Sequence, residues 1–252
     1  MRAQKNFEFE SEQIKCYTSE NIGIIKFKSN VFNIVSSLGG SSDVFSLLEI
    51  AEQDRNIKLL LLINERCCFS EEEYSEFINS ITGKDIGSGK EMIRLRQINI
   101  LNRFIMEMLN FKKLVISCLS GNIVTPFFGA SLAADFRFVS EDMVFSLSHL
   151  RHKVHPSGAL PYFLPKYIGF GKANELLFYD GDVSAKEALK LALVNKILPK
   201  DNFEKHCILE AQSLSEINSN VVKLSKHLLH FSKKELEKYF EIENNFSQVE
   251  RR

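Results

Sequence analysis

Hydrophobic and polar positions alternate along this chain in two recognisable periods. Gly23–Phe27 is a short β-type run, and Ile57–Ile63, reading IKLLLLI, is almost unbroken apolar. A strand of that composition is covered on both faces, which favours a parallel sheet. Between the two lies a loop at 39–43, GGSSD, whose Ser or Asp is expected to cap a helix over Val44–Gln53. Residues 70–92, with Glu71–Glu73 and Gly83, Gly87 and Gly89, read as a polar surface loop able to order over a ligand. An amphipathic helix over Arg94–Asn110 then leads into a second apolar strand, Leu114–Leu119. Strand, glycine and helix recur at Gly121, 126–134 and Phe136–Val139.

From about Asp201 the chain is helical, with Lys223, Lys226, Lys233, Lys234 and Lys238 among Leu224, Leu228, Leu229 and Leu236. That spacing gives a solvated face beside a packed one, with a partner-binding helix as the alternative. The alternation predicts an α/β protein with crossover helices, a core over 1–200 and a helical C-terminal region over 201–252.

Composition narrows the function. The 252 residues balance 32 Lys and Arg against 32 Asp and Glu. No basic excess marks a nucleic-acid or anionic-membrane binder. No stretch approaches the ~18–20 apolar residues of a membrane span, and the start lacks the apolar core of a secretory signal, so a cytoplasmic protein is expected. The five cysteines form no CxxC pair, which predicts buried or partly buried free thiols rather than disulfides or zinc. All five prolines lie between 121 and 200, so the fixed turns gather there.

That middle region carries the most specific pattern. A strand ends in Gly121, and a helix ends in Ala133-Ala134-Asp135-Phe136-Arg137. The turn Ser140-Glu141-Asp142 and the stretch Phe145–Ser148 follow, then Pro156 and Leu164-Pro165-Lys166-Tyr167-Ile168-Gly169. Ala173-Asn174-Glu175-Leu176-Leu177 and Ser184–Leu189 lead on to Leu193-Val194-Asn195-Lys196. In order and spacing, residues 116–199 resemble the enoyl-CoA hydratase/isomerase (crotonase) family. Phe145–Ser148 and the Leu-Pro-aromatic pattern at 160–162 look most like the hydratase homologues of polyketide β-branching.

The resemblance implies a crotonase-type ββα superhelix assembled as a homotrimer or as a hexamer built from two trimers. It implies an acyl thioester of coenzyme A or of a phosphopantetheine carrier protein as substrate, with no separate cofactor. Two backbone N–H groups would hold the thioester carbonyl and stabilise an enolate, and two glutamates would move the proton and activate water in a hydro-lyase reaction.

Read residue by residue, this sequence departs from that pattern. The helix-end donor falls on Pro126, which has no N–H, leaving Phe127 or a shifted helix start to supply one. The loop donor falls on Phe69, or on Glu71 with a slip of two. The first glutamate position is Gly129 and the second is His149. His149 is either the acid/base, since imidazole titrates near ~6.5, or a satisfied pocket histidine. Glu71–Glu73 either lean over the pocket or form a solvated helix start. Lys26, Lys28 and the C-terminal lysines are candidates for the coenzyme's phosphates. His149, His152 and His155 are spaced for a metal, but an irregular segment would aim the rings apart, so no metal site is expected. An enzyme with a degenerate site and a non-catalytic homologue that binds a thioester or a partner subunit are therefore the two readings.

Overall fold

A computed structural model describes residues 7–28, 31–36, 38–82, 88–179, 181–229 and 233–249. The chain opens with β1 (Phe9–Glu10), β2 (Ile14–Ser19) and β3 (Ile22–Phe27), then α1 (Val31–Ser36), α2 (Leu38–Gln53) and β4 (Leu59–Asn64). Two helices, α3 (Glu71–Thr82) and α4 (Ser88–Asn110), precede β5 (Leu114–Leu119), β6 (Asn122–Val124) and α5 (Thr125–Ser131). There follow β7 (Phe136–Ser140), β8 (Val144–Ser146), α6 (Ser148–His152), α7 (Leu160–Phe178), β9 (Val183–Ser184), α8 (Ala185–Lys190) and β10 (Lys196–Leu198). The helices α9 (Phe203–Ser215), α10 (Ser219–Leu229) and α11 (Lys233–Val249) close the order.

The main sheet runs β1-β2-β3-β4-β5-β7-β10, antiparallel at the β1–β2–β3 edge and parallel from β3 onward. Leu59 pairs with Leu114 and Ile63 with Cys118, so the two apolar strands read from the sequence are neighbours. Every residue of β4 is buried. One face, with Leu59, Leu61, Ile63, Ile116 and Cys118, packs on Phe203, Cys207 and Ala211 of α9. The other face, with Leu60, Leu62, Val115 and Leu119, packs under the remaining helices. This double cover is why the strand is a continuous apolar run rather than an alternating one. A smaller sheet, β6-β8-β9, holds the short strands that lead into α5, α6 and α8. The ends of β4 and β5 are cross-linked by Asn64, whose Nδ2 donates to the Ser120 carbonyl and whose Oδ1 accepts from the Ser120 amide, both at 2.9 Å.

Three expectations are corrected. Residues 39–43 are not a loop but part of α2. Ser41, Val44, Leu47, Leu48 and Ala51 are buried at helical spacing, and burying Val and Leu side chains at ~1.5–3 kcal/mol each outweighs the ~1 kcal/mol that each glycine costs a helix. Residues 70–92 are likewise mostly helical, with α4 beginning at Ser88 and 83–87 outside the described residues. Tyr74, Phe77 and Ile78 form a buried i, i+3, i+4 stripe hidden among glutamates. Glu71, Glu72 and Glu73 occupy the first turn, where the helix dipole favours negative charge. Four cysteines are buried, but Cys67 is exposed, against the expectation for all five. Among the described residues no helix is long and apolar enough to cross a membrane.

Candidate functional site

The loop after β4 and the start of α5 meet beyond the ends of the central strands. Phe69 and Phe127 stack face to face, with ring centroids 4.1 Å apart and planes 17° apart. The Val124 amide donates to the Phe69 carbonyl at 2.9 Å, tying the two segments directly together. Phe32 packs on the same stack, 5.2 Å from Phe127 and 5.0 Å from Phe77. Two small apolar cavities adjoin the stack, of about 50 and 30 Å³, each bordered by Phe27, Phe69, Phe104 and Phe127. Sites for small molecules and cofactors typically measure ~300–1,000 Å³.

Pro126 sits in the first turn of α5, and no side chain caps that helix. Gly129, one turn on, faces the turn before α7. A Cβ at Gly129 would lie 2.3 Å from the Gly158 carbonyl oxygen and 2.8 Å from the Leu160 nitrogen. Gly158 holds φ of +74°, and a Cβ there would meet the Pro126 carbonyl oxygen at 2.1 Å. Only two glycines allow the segments this close.

His149 is 3% exposed. Its Nε2 lies 3.1 Å from the Leu177 carbonyl and its Nδ1 3.0 Å from Thr125 Oγ1. A carbonyl can only accept, so this partner assigns the proton to Nε2 and leaves Nδ1 to accept from the Thr125 hydroxyl. Burial pushes the imidazole below its usual range, while the Leu177 bond pulls the other way. The neutral ring is thus built into a network completed by Ser148, whose hydroxyl accepts from the Thr125 amide at 3.0 Å. Thr125 and Leu177 are the anchors that spacing could not reveal, since one contact is a distant backbone carbonyl.

Glu71, half-buried at the start of α3, is held by polar partners. Its carboxylate accepts from Ser146 Oγ at 2.6 Å and lies 3.0 Å from His152 Nε2 and 3.4 Å from Arg151. Arg151 also reaches Asp182 at 2.5 Å. Glu72 is exposed. The rings of His149 and His152 therefore serve different partners, and among the described residues no group of three His, Cys, Asp or Glu side chains could hold a metal. The lysines read as phosphate contacts are dispersed. Lys26 pairs with Glu204 at 3.1 Å and Lys28 with Glu10 at 2.8 Å, while Lys226 is buried against Asp135 at 2.6 Å.

The profile of the enoyl-CoA hydratase/isomerase family matches residues 76–250. The chain belongs to this family. Chromodomain Y-like protein 2 of Mus musculus is 26% identical over 201 residues, which cover 79% of this chain and 38% of that protein. Peroxisomal enoyl-CoA delta isomerase 3 of Mus musculus is 23% identical over 226 residues, 90% of this chain and 69% of the relative. An enoyl-CoA hydratase/isomerase from Cupriavidus metallidurans CH34 superposes with a TM-score of 0.73 at 25% identity, covering 96% of this chain and 89% of the other.

The residues that the resemblance assigns to the loop donor and the helix-end donor, Phe69 and Phe127, are thus stacked on each other. The turn carrying Gly158 and Leu160 occupies the room that a side chain at Gly129 would need. His149 has both ring nitrogens engaged inside the protein. Two larger clefts, of about 1,010 and 760 Å³, lie elsewhere, against α10 and α11. The second reaches Leu114 and Phe136, at the opposite ends of β5 and β7 from the crotonase site.

Proposed function

We propose that this protein is a crotonase that has given up enolate chemistry and acts as a non-catalytic subunit of a crotonase-type assembly, a homotrimer or a hexamer. The observation that carries the reading is the double engagement of His149. Of the two family carboxylate positions it alone bears an ionisable side chain, and to accept a substrate proton it would have to release the buried Leu177 carbonyl or turn the Thr125 hydroxyl away to the Ser146 carbonyl. The missing N–H at Pro126 and the closed space between Phe69 and Phe127 point the same way. Loss of one oxyanion donor typically costs ~10²–10³ in rate.

The subunit role is supported by α10. Val222 and Lys226 face the core, while Val221, Leu224 and Leu228 on the other side are 56%, 63% and 74% exposed. A row of large apolar side chains on one helix face suits contact with another subunit. The competing reading, a hydro-lyase acting on coenzyme A or carrier-protein thioesters with His149 as acid/base, rests on the position of that residue and on the acyl-CoA activities named for its relatives.

The test is a crotonyl-CoA and crotonyl-pantetheine hydration assay on the parent, His149→Ala and Pro126→Gly. No turnover above the buffer rate in any of the three is expected. Turnover that rises through a pKa near ~6.5 and disappears in His149→Ala would establish the hydro-lyase.

A further inference from the structure

The buried carboxyl of Glu243 plays no part in the site described above. It projects from α11 and is 3% exposed. One oxygen accepts from Tyr239 Oη at 3.1 Å, one turn back on the same helix. Among the described residues the other, Oε2, makes no close hydrogen bond, nor does either amide atom of Asn102 on α4, although the Asn102 side chain and the Ala159 amide approach the carboxyl and favour its ionised form. The groups that bear on the carboxyl are Tyr239 from its own helix, Asn102 from α4, His155 from the segment after α6, and the Ala159 amide at the start of α7. His155 is the ionisable group in that set that can carry positive charge, and when charged it favours the carboxylate.

Burial of an ionised carboxyl without a paired cation is costly, whereas a protonated one can donate from Oε2 to an amide oxygen such as that of Asn102. Desolvation accordingly raises the pKa of Glu243 above the usual carboxylate range, against the opposing pull of Asn102, Tyr239, His155 and the Ala159 amide. The seat matters beyond α11 itself. Leu236 and Phe240 bury the same helix, and the Tyr239 ring lies 5.6 Å from that of Tyr162. Residues 155–162 thus carry α11 on one side and press Gly158 against Pro126 and Gly129 on the other.

We propose that Glu243 makes the seating of α11 sensitive to pH, tight while its carboxyl is protonated and looser once it ionises, and that the turn at 157–160 loosens with it. For an acid whose pKa is raised in the seated state, seating is strongest below the ordinary carboxylate value. It weakens as pH climbs from there to the raised value and is constant above it. This device is independent of whether the crotonase site turns anything over.

Hydrogen exchange of the full chain between pH 4.5 and 8, corrected for intrinsic rates, tests it. Protection of 233–249 and of 157–160 should fall together by about threefold or more across that range in the parent. In Glu243→Gln it should stay level and exceed the parent's at the high end. His155→Gln should retain the transition and move it upward, because the favourable charge is gone. Glu243→Leu, also without a titrating group, gives the same level profile if the glutamine variant folds poorly. A level profile in the parent, an unchanged slope in Glu243→Gln and Glu243→Leu, or loosening of 233–249 without 157–160 overturns the proposal.

Discussion

Replacing Gly129 by alanine measures how tightly the family's first carboxylate position is closed. The added Cβ would stand 2.3 Å from the Gly158 carbonyl oxygen, 1.1 Å inside the 3.4 Å at which ordinary contact begins, and 2.8 Å from the Leu160 nitrogen. Both obstacles are backbone, so neither can swing aside like a flexible side chain. Forcing extra volume into a packed interior costs about 1–3 kcal/mol, and overlap on two backbone atoms belongs at the upper end. Against this, alanine improves on glycine in a helix by up to ~1 kcal/mol. The net expectation is a loss of about 2 kcal/mol, or roughly 4–8 °C in Tm for a chain of this size. Gly171→Ala is the matched control, because it lies in α7 just after the non-helical Gly169, with nothing among the described residues within 4 Å of an added Cβ. It should stabilise by a few tenths to ~1 kcal/mol. Urea unfolding of both variants against the parent reads the difference. If Gly129→Ala proves as stable as Gly171→Ala, the turn at 157–160 does not rest on α5, and the claim that a glutamate has no room here fails with it.

Three further outcomes follow from the same geometry. His149 has a lowered pKa, so its neutral form stabilises the fold fully above ~6.5 and that contribution is lost as pH falls through and below this value; the acid loss of stability should shrink in His149→Gln, followed by thermal unfolding at pH 5 and 8. Lys226→Met should cost about 3 kcal/mol, since it strands the Asp135 carboxylate in a site where the two side chains are only 6% and 11% exposed; denaturant unfolding checks it, and Asp135→Asn in the same chain should recover part of the loss. Leu224→Glu with Leu228→Glu should leave the fold intact and dissolve any assembly, so sedimentation velocity of the parent and the double variant would show a monomer in the second case alone.

Much of the fold was legible in the chain because its elements are unusually pure. IKLLLLI can hardly be anything but a strand covered on both faces, and its partner Leu114–Leu119 follows a helical period of the right length for a parallel crossover. The elements that escaped detection, α3 and the first turns of α2, carry their apolar stripes among glutamates or glycines. Local propensity argues against those helices, and only the burial of Tyr74, Phe77 and Ile78, or of Ser41 and Val44, reveals them.

The amino-acid sequence by itself determined the residue types at the positions that the crotonase resemblance assigns to the site: no N–H at Pro126, and no carboxyl at Gly129 or His149. It left open whether His149 could act in their place, because a ring's availability depends on its partners. The tertiary structure adds those partners, bringing the Leu177 carbonyl, from the far end of α7, onto Nε2 and Thr125 onto Nδ1. It likewise brought Phe69 onto Phe127 and the 157–160 turn onto Gly129. A substitution can delete a functional group at one position in the sequence, but the closing of a pocket and the fixing of a tautomer are contacts between distant segments, and these exist only once the chain has packed.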